Sequence, residues 1–70
     1  MYEGTIVRIV RDRGYGFISR VRGEPDLFFH VRSLPREVFF DETLTERRVE
    51  FAIEMHNGKE RAAGVRLIEN

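Results

Sequence analysis

The sequence predicts an all-β fold, a small antiparallel Greek-key barrel of five strands, and three observations carry that reading. Apolar residues recur with a period of two. Val49, Phe51 and Ile53 alternate with Glu50, Ala52 and Glu54, and Leu27, Phe29 and Val31 alternate with Phe28, His30 and Arg32, the pattern of strands that bury one face. Between the apolar runs stand clusters of turn-forming residues, and no stretch of the chain shows the 3.6-residue periodicity of a helix. Five short strands in a chain this small leave sheet edges exposed unless the sheet closes on itself, so a barrel of the OB-fold type is expected.

The five runs fall at about 3–11, 14–21, 26–31, 47–55 and 60–68, with bounds good to two to four residues. Asp12-Arg13-Gly14 makes the tight turn between the first two strands, and Arg22-Gly23-Glu24-Pro25 makes the second turn. Asn57-Gly58 between the last two is the strongest two-residue hairpin signal in the chain. Three hairpins follow. The longer connection from Arg32 to Glu46 is expected to hold one helical turn over Ser33-Leu34-Pro35-Arg36-Glu37, capped by Ser33, before an irregular return to the fourth strand.

With 70 residues, the chain reads as one domain over 1–70, burying only about 60% of the surface its unfolded form exposes. It has no cysteine, which removes disulfides, thiolate nucleophiles and Cys-containing zinc sites and suits a reducing compartment. Two histidines alone cannot hold a structural metal. Met1-Tyr2-Glu3-Gly4 opens no signal peptide and no apolar run is long enough to cross a membrane, so the expected location is the cytosol. Neither a triad nor a phosphate-binding loop nor metal-ligand spacing occurs. An enzyme, a cofactor, a metal and a small-molecule substrate are therefore not expected. The acidic residues Asp41, Glu42 and Glu46 read as a solvated loop, because no histidine or apolar pocket accompanies them.

Formal charge is zero, yet it is unevenly spread: residues 1–40 carry seven Arg against five acids, and residues 41–70 carry four Arg and one Lys against seven acids. Eleven of the twelve basic residues are arginine, whose planar fork suits phosphate and whose flat face stacks on a base. Codon bias would produce the same excess.

The most informative segment is Arg13-Gly14-Tyr15-Gly16-Phe17-Ile18-Ser19-Arg20. If Ile18 faces the core, alternation turns Tyr15 and Phe17 outward. On the next strand, burying Leu27, Phe29 and Val31 turns Phe28 and His30 outward, so the hairpin should bring four rings onto one platform, with the glycines between them leaving room for bases to approach. Every base has a π-face, so such a platform binds unpaired strands with little sequence preference. Arg8, Arg11, Arg13 and Arg32 stand nearby as candidate phosphate contacts, although each could equally be a solvated strand or loop residue. Of the adjacent pair Phe39 and Phe40, only one can be buried, and the pattern does not choose between them. His56, beside the last turn, reads as exposed and idle.

At these residues the sequence resembles the cold-shock domain family, in which a strand reading Lys-Gly-Phe-Gly-Phe-Ile is followed by one reading Val-Phe-Val-His-Phe. The two stretches stand here as Arg13-Gly14-Tyr15-Gly16-Phe17-Ile18 and Leu27-Phe28-Phe29-His30-Val31. Gly4 in the first strand, Asp26 before the second motif, Ser33 after it, and Ala62-Ala63-Gly64-Val65 in the last strand extend the likeness over nearly the whole chain. The resemblance implies a five-stranded barrel that binds single-stranded RNA and DNA, often as an RNA chaperone or a regulator of transcription or translation; a monomer or weak dimer is expected. It implies stacking on Tyr15, Phe17, Phe28 and His30, with Arg13 in place of the motif lysine; Arg8 from the first strand and Phe39 from the long loop complete the expected nucleic-acid-binding set. Two departures reduce the expected affinity. Arg8-Ile9 stands where the family usually has tryptophan and phenylalanine, and Val31 where an aromatic is common.

Two rival readings use the same residues. The second strand also resembles the aromatic motif of RNA-recognition domains, but that fold needs two helices that the periodicity does not supply. A protein-interaction module could dock a partner on the same aromatic face, with Arg8 marking weakened nucleic-acid binding.

Overall fold

A computed structural model of the chain describes residues 1–21 and 23–68. The strands are β1 (Tyr2–Val10), β2 (Tyr15–Ser19), β3 (Leu27–His30), β4 (Arg48–His56) and β5 (Lys59–Leu67), closed into a barrel in the order β1-β2-β3-β5-β4. Four neighbouring pairs are antiparallel, and β3 meets β5 in parallel at the single register pair Phe29↔Ala62. The parallel pair is a geometric necessity. Strand directions can alternate all the way round a ring only if the number of strands is even, so a five-strand barrel must contain at least one parallel neighbour.

The three predicted hairpins are present. Asn57 and Gly58 both have positive φ, 52° and 78°, as a two-residue turn of the right-handed-twist type requires. Gly14, at φ 74°, ends a 3-10 turn over Arg11–Arg13, and its N–H donates to the Val10 carbonyl at 3.0 Å. In the second turn Arg22 lies outside the described residues, while the Glu24 N–H donates to Val21 O at 3.2 Å across it.

Inside the barrel lie Ile6, Ile18, Leu27, Phe29, Val49, Phe51, Ala62 and Val65, whereas Val31, expected to be buried with Leu27 and Phe29, is half-buried in the turn that follows β3. Ile53 is only half-buried against them. The long connection contributes more than a return path. Leu34 and Leu44 are both buried in the core cluster, and Phe40 packs its edge against Phe29 with centroids 6.3 Å apart and planes at 82°. Its helical turn is also displaced from the predicted one. The first 3-10 turn covers Val31–Ser33, with His30 as its cap, and a second covers Glu42–Leu44, capped by Asp41. Pro35 starts only a reverse turn, closed by Val38 N–H to Pro35 O at 3.1 Å. The difference has a local cause. The His30 ring accepts the Arg32 N–H while the Ser33 hydroxyl donates back to the His30 carbonyl, so the chain turns as soon as β3 ends.

Two irregularities shape the outer surface. Between Ile6↔Ile18 and Arg8↔Phe17 the register of β1 on β2 shifts by one residue, a bulge that leaves Val7 and Arg8 both exposed and returns Ile9 to the core. Unbroken alternation from Ile6 would have sent Arg8 inward. On β5, a second shift falls opposite Phe51, where Gly64 adopts φ 59°, a conformation available to glycine without strain.

Candidate nucleic-acid interface

The β2–β3 register sets Tyr15 opposite His30 and Phe17 opposite Phe28, so the side chains that alternation turned outward meet across two neighbouring strands. Tyr15, Phe17 and Phe28 touch one another: centroids are 5.8 Å apart for Tyr15–Phe17, 5.3 Å for Tyr15–Phe28 and 6.1 Å for Phe17–Phe28. All three are half-buried, as is His30, because they cover one another while leaving a face or edge to solvent.

The cluster is not the single plateau that four coplanar rings would make. Phe17 stands at 86° to Tyr15 and 77° to Phe28, whereas Tyr15 and Phe28 are tilted by only 37°. Edge-to-face contacts satisfy the ring quadrupoles better than a flat sandwich would. The surface therefore offers two stacking orientations, one on the Tyr15–Phe28 side and one on Phe17. Mutual packing also holds the rings in place before any ligand arrives, which lowers the ordering cost of binding.

His30 is held as firmly as the rings beside it. Its Nδ1 accepts the Arg32 backbone N–H at 3.1 Å, so in the neutral ring the proton sits on Nε2, which is left as a donor. On the other flank the bulge in β1 brings Arg8 opposite Phe17, with Cζ 6.0 Å from the ring centroid, within cation–π range.

Gly16, between the two β2 aromatics, does not serve the ligand side as expected. It is buried, and a Cβ built on it would stand 2.7 Å from the Arg8 carbonyl oxygen and 2.8 Å from the Phe29 ring. Its smallness makes room for Phe29 inside the barrel. Alternation already implied this, since Gly16 has the parity of Ile18.

The structure separates Phe39 from Phe40. Phe39 is 85% exposed in the loop, while Phe40 packs against the core.

Arginines divide by surroundings. Arg20, Arg48, Arg61 and Arg66 pair with Glu24 and Glu60, Glu3, Glu54 and Glu50 respectively, and three of these pairs tie β4 to β1 or β5 to β4. Among the described residues, Arg8, Arg11, Arg13, Arg32, Arg36 and Arg47 have no such carboxylate partner and are exposed; of these, Arg8 lies over Phe17 and Arg32 borders His30. The neutral total thus conceals arginines tied to carboxylates along β4 and β5 and others that are not, of which Arg8 and Arg32 border the aromatic cluster. The Val31 N–H donates to Gly14 O at 2.9 Å, which ties the turn carrying Arg13 to the end of β3 next to Arg32. Asp41 has its carboxyl held below the ordinary range, first by the Thr43 hydroxyl and then by the Thr43 N–H, with a smaller contribution from Arg11; it caps a loop and faces no partner histidine.

Barrel closure adds residues that the linear pattern left out. Because β3 neighbours β5, His56, Lys59 and Arg61 of the last hairpin line a depression of ≈ 460 Å³ beside Phe28, and His56 and Arg61 line another of ≈ 450 Å³ with His30 and Arg32. His56 is exposed as expected, but it borders the aromatic cluster instead of standing apart. Only the β3–β5 adjacency of an OB-type barrel could have signalled this from sequence.

Comparison with known proteins agrees with this geometry. The family model described as the 'Cold-shock' DNA-binding domain matches residues 2–68. A cold shock-like protein of Aquifex aeolicus (strain VF5) is 34% identical over 68 residues, covering 96% of this chain and 94% of that protein. Among solved structures, drosophila Unr CSD456 superposes with a TM-score of 0.77 at 23% identity over 97% of this chain. This chain spans 26% of that structure's length, and the likeness speaks to the fold alone.

Proposed function

The chain belongs to the cold-shock domain family, whose members are nucleic-acid-binding domains and not enzymes, and from that premise we propose that it binds single-stranded RNA and DNA by stacking unpaired bases on Tyr15, Phe17, Phe28 and His30. Arg11, Arg13 and Arg32 contact phosphate, while Arg8 lies over the Phe17 ring. Phe39 reaches the strand from the exposed loop, and His56 and Lys59 extend the track past Phe28. The domain occupies residues 1–70 and acts in the cytosol as an RNA chaperone or a regulator of transcription or translation.

The observation that carries the reading is the triangle of mutually packed, solvent-facing rings bordered by Arg8 and Arg32, which among the described residues have no carboxylate partner. Stacking contributes about 1–3 kcal/mol per base, so four positions supply roughly 4–12 kcal/mol gross before ordering costs. Micromolar to submicromolar affinity is within reach of that sum.

Fluorescence-anisotropy titrations with short oligo-pyrimidine RNA and DNA at two salt concentrations, with duplex DNA as the control, test it. Saturable single-strand binding that the duplex fails to match is the expected result, because a paired base cannot lie on a ring. Each phosphate contact on a single strand adds about −0.7 to the slope of log K against log salt. Four basic groups, Arg11, Arg13, Arg32 and Lys59, therefore predict a slope no steeper than about −3. Equal binding of duplex and single strand, or no binding at low salt, would remove the stacking mechanism.

A further inference from the structure

Arg8, Phe17 and Asp26 line a depression of ≈ 260 Å³ on the outer surface of β1–β2. The bulge at Val7 brings the guanidinium outward and opposite Phe17. Asp26 arrives from the other side, one residue before Leu27, which pairs with Ile18. Both charged side chains are exposed, and among the described residues neither is engaged in an ion pair. A donor fork, a π-face and an acceptor-only carboxylate thus converge on one shallow site.

We propose that this depression is a base-reading subsite selective for guanine. The inference rests on the stacking reading above and adds to it the chemistry of one base edge. Guanine carries two adjacent acceptors, O6 and N7, which a guanidinium can engage with two hydrogen bonds. Its N1–H and N2 amino group are two adjacent donors that a carboxylate can accept together. Adenine and cytosine offer a carboxylate one amino group, and uracil and thymine one ring N–H. Guanine is the base that lets both charged groups bind in bidentate fashion while its ring lies against Phe17.

Asp26 supplies a distinctive test. A carboxylate beside a polyanion weakens binding of every sequence unless the base gives it donors. Affinities are to be measured by anisotropy for a thymidine heptamer and for the same heptamer with a central guanine, adenine or cytosine. The wild-type chain is expected to bind the guanine heptamer about tenfold more tightly than the others, a ratio of ~1.4 kcal/mol, within the discrimination of a bidentate pair. Asp26→Asn is expected to cut that preference below about threefold, with a larger loss for the guanine heptamer than for the thymidine heptamer. Arg8→Gln is expected to reduce the same preference. Two results overturn the inference alone: equal, measurable affinity of the wild type for all four heptamers, or an Arg8→Gln variant that weakens all four by one factor and keeps the preference, which would make Arg8 a phosphate contact. Failure of every heptamer to bind would overturn the stacking reading beneath it as well.

Discussion

Alanine at both Phe17 and Phe28 is expected to weaken binding of a single-stranded oligonucleotide by at least tenfold and by as much as ~10³-fold, with the barrel still folded. Each ring supplies about 1–3 kcal/mol of stacking. The two losses should not add independently, because the rings touch each other and Tyr15. The variant also gives up the three ring contacts of the cluster, worth about 1 kcal/mol each, so affinity is read below its melting transition. Glu42→Ala, in the exposed loop, is the matched control and should leave affinity near wild type. Anisotropy titration beside thermal melts separates the two quantities. Wild-type affinity in a folded double variant would show that nucleic acid, if bound, uses another surface.

Gly16→Ala is expected to act on the other side of the same strand. The added methyl would meet a backbone carbonyl at 2.7 Å and the fully buried Phe29 ring at 2.8 Å. Neither can retreat easily. The carbonyl belongs to Arg8 in the bulge, and Phe29 is wedged between the sheet and the edge of Phe40. Overpacking of this kind costs about 1–3 kcal/mol, a large share of the stability of a domain this size. A fall in Tm with an unchanged unfolding m-value is the expected outcome. An unchanged Tm would mean that the space around Gly16 belongs to the ligand side, as the alternation of rings and glycines along β2 suggests when it is considered without the core.

What was legible in the sequence is what depends on neighbouring residues. Period-two alternation separated Leu27 and Phe29 from Phe28 and His30, and Asn57-Gly58 located the last hairpin, because both signals are local. The misplaced and missed features are non-local. The bulge at Val7 falls just past the stretch of β1 that pairs with β4, and no residue type in β1 announces it; yet it decides that Arg8 faces solvent beside Phe17. The helical turn was expected at Ser33, but a hydrogen bond from the Arg32 backbone to the His30 ring moved it earlier. Phe39 and Phe40 are chemically identical, and only the position of Phe29 in the closed barrel selects Phe40 for burial. His56 looked idle for the same reason. Its proximity to the aromatic face arises through β3–β5 adjacency, which joins residues far apart in the chain.

The central claim is that unpaired bases lie on the rings of β2 and β3. Nuclear magnetic resonance of the isotope-labelled chain, titrated with a short single-stranded oligonucleotide, tests it most directly. The account predicts ring-current shifts and intermolecular Overhauser effects concentrated on the side chains of Tyr15, Phe17, Phe28 and His30, with the ion-paired β4–β5 residues Glu50 and Arg66 little changed. Perturbations confined to that β4–β5 surface, with the four rings unmoved, would contradict it.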